Sequence, residues 1–578
     1  MGAGQVVDAV ARALAELGAE DFLARWRRLP AGQQADALLH RFRYDRATFL
    51  KWCFPRVFGR KWNRFHLDVL TRPKPSFRER AGRDVLRVDA APRGIAKTTL
   101  LKGELIHDVC YGLEDNVVVV SAEMRLARKA TKHLLSIFRN PPKAMRDLFG
   151  AFVVAGGVDN FTVTTADGHV TGFLARSFGT AVRGENEEGA RPTKIVVDDG
   201  ERSDRVRNPE QRRVWWEFLH NDILRCGPIE GGLLVEWRGT ILHPDAILPN
   251  LLKAAGWRGS TYKACEAWPA RMDLWGQAGK LFADLTLGDV DARSAAAAEF
   301  YAANKAEMDA GAVMLDPEAM PVFRFFEQIW TFGLRQVLQE LQNESRTAGT
   351  KFFATEQWAY CDVVGDKASG GHLVRPDGRK VKLADLRTFA RLDPIPGKAL
   401  GTMGDEGGAG AGDYAAIAVI GVDTYGYVYV LDCWMQRARD GEQLAMLWTL
   451  FDRWLFERAT IETNGFARLL GVEYRRQQEE RRAKGQNWQM VASDDPSTIS
   501  KEDDIASIEA SAASGQILWS RSLPPPVIGQ FDSFPDGDHD DGADAIARCI
   551  RRSQTAKIGM VQTPVGAARM GLLPFGPR

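Results

Sequence analysis

Three features are scarce in this chain of 578 residues. Its 7 cysteines are scattered and form no Cys-x-x-Cys pair. That excludes a disulfide-stapled scaffold, argues against a cysteine-held zinc, and fits a reducing compartment. No run of about 18 apolar residues occurs, as a membrane-spanning helix would need. The N-terminal stretch carries Asp8, Glu16, Glu20 and Asp21 where an export signal would be basic, so neither a secreted nor a membrane protein is expected. An excess of one charge is also missing. Lys and Arg total 76 against 75 Asp and Glu, a net charge of +1, so any nucleic-acid surface has to be a local patch set against acidic sites. What remains is the composition of folded globular domains, 45% hydrophobic and 26% charged. The length predicts roughly two to four domains.

Residues 1–50 read as a small helical packing or docking segment. Val6, Val7, Val10, Leu14 and Leu17 recur at helical spacing, and Ala35, Leu38, Leu39 and Phe42 do so after Pro30-Ala31-Gly32. From 84 to 250, short β-branched runs alternate with helical patterns. Strands are predicted at 84–89, 116–121, 194–198 and 233–239, with a hairpin from 161–165 and 170–175. Helices are predicted from 98 to about 113, over 124–139 and from 208 to 224. This alternation specifies a doubly wound, mainly parallel α/β domain. Residues 250–345 are Ala-rich and helical in pattern, with no strand signal, and read as a lid and connector closing a domain over 51–345. The Gly/Asp/Lys-rich stretch 365–385 marks a linker, 346–384. Over 385–555 three strands in quick succession (399–403, 414–421, 427–432) precede alternating helices and strands, with a last helix from near Asp541. That is the order of an RNase H-like domain. The Gly/Pro/Ala-rich tail 556–578 is expected to be mobile.

The turn Pro92-Arg93-Gly94-Ile95-Ala96-Lys97-Thr98-Thr99 lies between a predicted strand and a predicted helix, the context a phosphate-binding loop requires. It fits G-x-x-x-x-G-K-[ST] with Ala91 and Ala96 in place of both glycines. Backbone amides at the helix start would cradle the anion, Lys97 would reach the β- and γ-phosphates of ATP, and Thr98 would hold Mg²⁺. About a hundred residues on, an apolar strand ends in Asp198-Asp199-Gly200-Glu201, a Walker B arrangement. Asp198 would hold the ion's hydration shell, and either Asp199 or Glu201 would orient and deprotonate the attacking water. Gly239-Thr240 ends a third strand on the same sheet edge, where ligands of open α/β sheets bind.

A second acidic set lies in the last third. Asp405 follows the predicted strand 399–403, Glu462 ends another, and Asp540, Asp541 and Asp544 open the final helix. RNase H-like nucleases need carboxylates at these three places, because hard oxygen ligands hold two Mg²⁺ or Mn²⁺. Helix capping accounts for one of Asp540 and Asp541, but not for Glu462 at the end of an apolar strand. Asp413 and Asp432 fit ordinary turn and strand-end roles. Arg475, Arg476, Arg481, Arg482 and Lys484 interleave with Glu479 and Glu480, as on a solvated, internally paired helix, with a groove for the DNA backbone as the second reading. Arg125, Arg128, Lys129 and Lys132 line the helix after the second strand, and one of them is a candidate arginine finger acting on a neighbouring subunit's ATP. Trp215-Trp216 reads as core packing.

In this order the motifs resemble one family, the large terminase subunit of tailed bacteriophages, over about residues 50 to 555. The residues that carry the likeness are the 92–99 turn, Val182-Arg183-Gly184, Val196 to Glu201, Gly239 to Asp245, Asp405, Ile461 to Phe466 and His539-Asp540-Asp541. Arg93 matches the conspicuous arginine of the family's loop, Ala96 departs from its second glycine, and Asp199 stands where the family commonly has Glu. The resemblance implies a DNA-packaging ATPase with an RNase H-like nuclease, ATP with Mg²⁺ in one site and two Mg²⁺ or Mn²⁺ in the other. It further implies that Gly239-Thr240 couples hydrolysis to DNA movement. The partners it implies are double-stranded DNA, a portal protein, a small terminase subunit and further copies of the chain in a ring, by resemblance a pentamer. The place of action would be the host cytoplasm, at the procapsid portal and not in the mature virion. A cellular helicase-nuclease of DNA repair would show two motor units where one phosphate loop is visible. A catalytically dead structural protein would have no reason to keep Lys97, Asp198, Asp405 and Glu462.

Overall fold

Val117, Val118, Val119 and Val120 are all buried, and a strand apolar on both faces needs a layer of helix on each side. In the computed structural model they form β2 (Asn116–Ser121), inside an eight-stranded sheet. Its other strands are β1 (Val85–Ala90), β3 (Val153–Gly156), β4 (Asn160–Thr164), β5 (Val170–Ser177), β6 (Lys194–Asp198), β7 (Leu234–Gly239) and β8 (Arg258–Thr261). The order is β3-β4-β5-β2-β6-β7-β1-β8. From β5 to β8 the pairings are parallel, while β3 and β4 add antiparallel strands at one edge. The structure describes all residues except 1–19, 81, 181–190, 207, 345–350, 395–413, 462–466, 486–490, 495–499, 536 and 559–578. The chain divides into two units, 1–270 with 309–326 and 335–348, and 271–308 with 327–334 and 349–578.

In the first unit the helix Met124–Arg139 buries Ala127, Ala130, Thr131, Leu134, Leu135 and Phe138, an apolar stripe at helical spacing. The N-terminal helices Ala31–Tyr44 and Arg46–Cys53 send Phe42, Phe49 and Leu50 into the same core. β8 was not expected. Its Arg-Gly-Ser-Thr sequence carries no apolar signal, and it pairs only with β1, at the sheet edge. The short strands β9 (Cys265–Ala267) and β10 (Val313–Met314) also fall in the stretch read as strand-free. At the opposite end of the sheet from Lys97, Arg80 is fully buried. It donates to Glu114 Oε1 at 2.6 Å and Oε2 at 2.8 Å, and to the carbonyls of Gly232 at 2.6 Å and Thr193 at 2.9 Å. Removing one member of such a pair strands a buried charge. Glu114→Ala is therefore expected to destabilise the protein by about 3–5 kcal/mol, read as a drop in melting temperature, and an unchanged melt would refute it.

The second unit is built on a nine-stranded sheet. Its strands are β11 (Ala359–Val364), β12 (His372–Val374), β13 (Lys380–Lys382), β14 (Arg387–Asp393), β15 (Ala415–Val422), β16 (Val428–Gln436), β17 (Arg458–Ile461), β18 (Val491–Asp494) and β19 (Ile517–Ser520). They lie in the order β13-β12-β11-β19-β16-β15-β14-β17-β18. β14, β15 and β16 form an antiparallel meander, and β17 and then β18 add in parallel beyond β14. The final helix, Asp541–Ile558, covers β14, β15 and β16 with Ala543, Ile546, Ala547 and Ile550 buried.

Three sequence expectations change here. The meander begins with β14 and not with a strand at 399–403, which lies outside the described residues. The 346–384 linker is largely part of the sheet, because β11, β12 and β13 pair antiparallel and β11 continues onto β19. Much of the 250–345 lid groups with the second unit. Tyr427 explains this: its hydroxyl accepts from the Leu285 amide at 3.2 Å and donates to Asp284 Oδ1 at 3.2 Å, while Gln516 reaches the Ala283 carbonyl at 3.3 Å.

Candidate functional sites

β1 ends at Ala90 and the helix Lys97–Cys110 begins seven residues on, so residues 91–96 turn the chain back over the sheet edge. Ala96 has φ +63° and ψ +29°, the left-handed backbone that glycine favours. The loop thus takes the shape its pattern asks for, although the residue is alanine. Lys97 is buried. Its Nζ donates to the Ala91 carbonyl at 2.9 Å, the Pro92 carbonyl at 3.0 Å and Thr240 Oγ1 at 2.9 Å. The strand order brings Thr240 there, since β7 lies between β1 and β6. Thr98 Oγ1 donates to Asp198 Oδ2 at 2.7 Å across the same edge. Asp198 Oδ1 is buried without a hydrogen bond, and burial together with the charge of Asp199 pushes the Asp198 carboxyl up to about 6. Burial in turn lowers Lys97 from the usual lysine range.

These groups surround a cavity of about 710 Å³ lined by Arg93, Lys97, Thr98, Glu123, Asp199 and Thr240 among others. Pro92 and Ile95 turn inward, and their carbonyls hold Lys97 and the ring nitrogen of His66. Asp199, at φ +45°, is exposed to the cavity. Glu201 is not free in the same way. Its Oε1 accepts from the Ile247 amide at 2.8 Å and its Oε2 from the Leu248 amide at 3.2 Å, so it caps the helix Ile247–Lys253. Burial pushes its carboxyl up to about 7 against the pull of those amides. Of the two candidate bases, Asp199 is the one with an open carboxylate. Gly239 packs closely, for a Cβ there would sit 2.9 Å from Leu248 Cδ1 and push that side-chain tip aside. Glu123, ion-paired with Arg202, lines the cavity and carried no sequence signal. The Thr98 hydroxyl beside an orphaned, buried Asp198 oxygen is a donor set that fits a hard divalent cation.

In the second unit, β14 ends on Asp393, a residue that sequence reasoning did not single out. Lys501 Nζ lies 3.5 Å from Asp393 Oδ2, 3.6 Å from Asp541 Oδ1, 3.9 Å from Asp544 Oδ2 and 4.0 Å from Asp540 Oδ1. Four carboxylates thus share one ammonium. Burial disfavours that ammonium, but the four charges, Asp393 foremost, push it above the usual lysine range. Burial and then Asp393 raise the Asp544 carboxyl to about 7. Behind them Arg548 Nε contacts Asp544 Oδ1 at 2.8 Å and Asp504 Oδ2 at 2.9 Å. Gln530 Oε1 caps the final helix by accepting from Gly542 and Ala543 at 2.8 and 3.1 Å.

Asp540, Asp541 and Asp544 are therefore brought together with Asp393. Asp405 and Glu462 lie outside the described residues. The place expected for Asp405, at the end of the meander's first strand, belongs to Asp393. Ile461, just before Glu462, pairs with Leu392, just before Asp393. Among the described residues no three His, Cys, Asp or Glu side chains close on one point as a ready-made metal cage. The fit to a cation rests instead on the surplus of carboxylate oxygens, with Asp393 Oδ2 and Asp544 Oδ2 buried without hydrogen bonds.

The remaining polar and aromatic candidates follow ordinary roles. Arg476 pairs with Glu473 and Glu480 on its own helix, Arg128 grips Asp159 with two bonds of 2.7 Å, and Asp432 meets Arg453 and Trp454. Trp215 is core, while Trp216 is partly exposed. Asp413 and Val182-Arg183-Gly184 lie outside the described residues.

The two units have distinct architectures. The first is a P-loop-type α/β sheet with the Lys97 turn and the Asp198 strand end on one edge, and the second an RNase H-like sheet with acids at the end of its first strand and the start of its last helix. No protein-family model and no curated protein matches the sequence. Among solved structures the chain is similar to the large terminase of a thermophilic bacteriophage, at 10% identity, over 82% of this chain and 91% of that one, with a TM-score of 0.39. It is also similar to the large terminase ATPase domain of Thermus phage P74-26 (10% identity, 51% of this chain and 97% of that, TM-score 0.30). The nuclease domain of the same Thermus phage protein matches at 17% identity, over 35% and 94%, with a TM-score of 0.21. With TM-scores this far below 0.5, fold and function rest on the topology and side chains described above.

Proposed function

We propose that this chain is a viral genome-packaging motor of the large-terminase type. The first unit hydrolyses ATP to drive double-stranded DNA into a procapsid, and the second cuts concatemeric DNA. The observation that supports this best is the presence in one chain of two chemically separate acidic sites, one beside a lysine-bearing anion turn and one on an RNase H-like sheet. In the first, Lys97 and Arg93 bind phosphate oxygens, and Thr98 with Asp198 holds Mg²⁺. Asp199 orients and deprotonates the attacking water, and Thr240, already hydrogen-bonded to Lys97, senses the state of the phosphates for coupling. In the second, Asp393, Glu462, Asp541 and Asp544 hold two Mg²⁺ or Mn²⁺, with Asp540 at the rim. Bound there, the ions supply an activated water and stabilise the leaving 3′ oxygen. Asp393 takes the role the sequence reading gave to Asp405. By the same reading the chain works in the host cytoplasm as a ring on the portal, pentameric by resemblance, and receives DNA from a small subunit.

The purified full chain, given supercoiled plasmid, is expected to nick and linearise it with Mn²⁺ and to leave it intact with EDTA. In parallel it should release phosphate from ATP with Mg²⁺. Plasmid that survives in Mn²⁺ removes the nuclease half of the proposal, and absence of ATP turnover removes the motor half.

A further inference from the structure

The cationic groups of the phosphate turn are both engaged by the protein's own acceptors. Lys97 is held by two carbonyls and Thr240, as above. Arg93 Nε lies 2.5 Å from Glu340 Oε2, and the Arg93 amide donates to the Glu340 carbonyl at 3.0 Å. Glu340 sits near the end of the helix Leu334–Gln342, far from any motif in sequence. The residues after it are fastened to the same edge of the first unit. Gln342 exchanges two hydrogen bonds with the backbone of Cys265, at 3.0 and 2.9 Å. Asn343, in a left-handed turn at φ +52°, accepts from the Ile241 amide at 2.9 Å and donates to the Tyr262 carbonyl at 2.8 Å. A rigidly tied segment thus presents a carboxylate to the one arginine of the anion turn.

A carboxylate and a phosphate offer a guanidinium the same chemistry, two anionic oxygens in a plane matched to the arginine fork. Both cannot hold Arg93 at once in the same geometry. We propose that Glu340 is an internal competitor of the nucleotide phosphates for Arg93, and that exchange of Glu340 for a phosphate oxygen sets the affinity of the first site for nucleoside triphosphate. This rests on the nucleotide-binding reading of that cavity and adds to it a positioning residue outside every motif. The pair is partly exposed, Arg93 at 60% and Glu340 at 20%, so the competition is modest. Exposed ion pairs of this kind are worth a factor of about three to five in an equilibrium constant.

The test is calorimetric titration of the full chain with ATPγS and with ADP, on wild type, E340Q, R93A and the double variant. E340Q keeps the shape of the side chain and removes its charge. It is expected to bind ATPγS about three- to fivefold more tightly, and to have no effect in the R93A background. Unchanged or weaker binding by a folded E340Q overturns the proposal, as does an equal gain with and without Arg93. Should E340Q melt early, E340D, whose carboxylate is one methylene short of Arg93, is read in its place, with tighter ATPγS binding expected and wild-type affinity counting against. Wild-type protein that binds neither nucleotide overturns the nucleotide reading and this proposal together, whereas wild-type binding with indifferent variants overturns this one alone.

Discussion

Lys97→Ala is expected to bring ATP turnover down by at least about a hundredfold, the loss typical when one preorganised charge stabiliser is removed from an enclosed site. The ammonium is buried and held by three acceptors, so its charge is already in place at the cavity and phosphate has only to displace one of those acceptors. A water that replaced it would carry neither its charge nor its fixed geometry. Phosphate release by the full-length variant is the measurement, and turnover within a few-fold of wild type would remove Lys97 from the site. The same preparation should still cleave plasmid in Mn²⁺, because the acidic cluster lies in the other unit. The full chain is needed for this. A nuclease fragment beginning at residue 375 would discard β12, the partner of β13, and β11, the strand that borders β19.

Asp393→Ala is expected to abolish metal-dependent cleavage, and Asp541→Ala likewise, each by at least about a hundredfold, while ATP turnover persists. Asp393 carries a buried oxygen without a hydrogen bond and faces an ammonium that three other carboxylates also approach. Neutralising it removes one hard ligand and lowers the negative potential that would draw in a divalent ion. Gel assays of supercoiled plasmid against Mn²⁺ concentration decide the matter. Nicking by the Asp393 variant at the wild-type rate and the wild-type Mn²⁺ requirement would falsify the assignment.

The first sheet was legible in the sequence where physics left one option. A run such as Asn116–Ser121 is apolar on both faces and suits only a sandwiched parallel strand, and Lys194–Asp198 repeats the pattern with its acid at the end. β14 failed the same test for an identifiable reason. Arg387-Thr388-Phe389-Ala390-Arg391-Leu392-Asp393 places an arginine, wholly buried in the fold, in the middle of the strand. A charged residue inside a core strand breaks the apolar pattern that reading by period depends on. Without β14 in view, the first strand of the meander was expected at 399–403 and its acid at Asp405, both outside the described residues. The hairpin of β12 and β13 was hidden by its brevity and by lysines at 380 and 382, which protect a sheet edge and read as linker. Glu201 and Glu340 could not be resolved at all, since their partners lie at Ile247 and Arg93, reachable only once the chain is folded.

The cap that Glu201 places on the helix Ile247–Lys253 has a mechanical side. Two backbone amides donating to one carboxylate tie the loop behind β6 to the helix behind β7, with only residues 241–246 between that helix and Thr240. The stretch bearing Asp199 and the stretch bearing Thr240 therefore form a single jaw on one side of the cavity. A displacement of the Asp199 loop would therefore pull on the helix that follows Thr240.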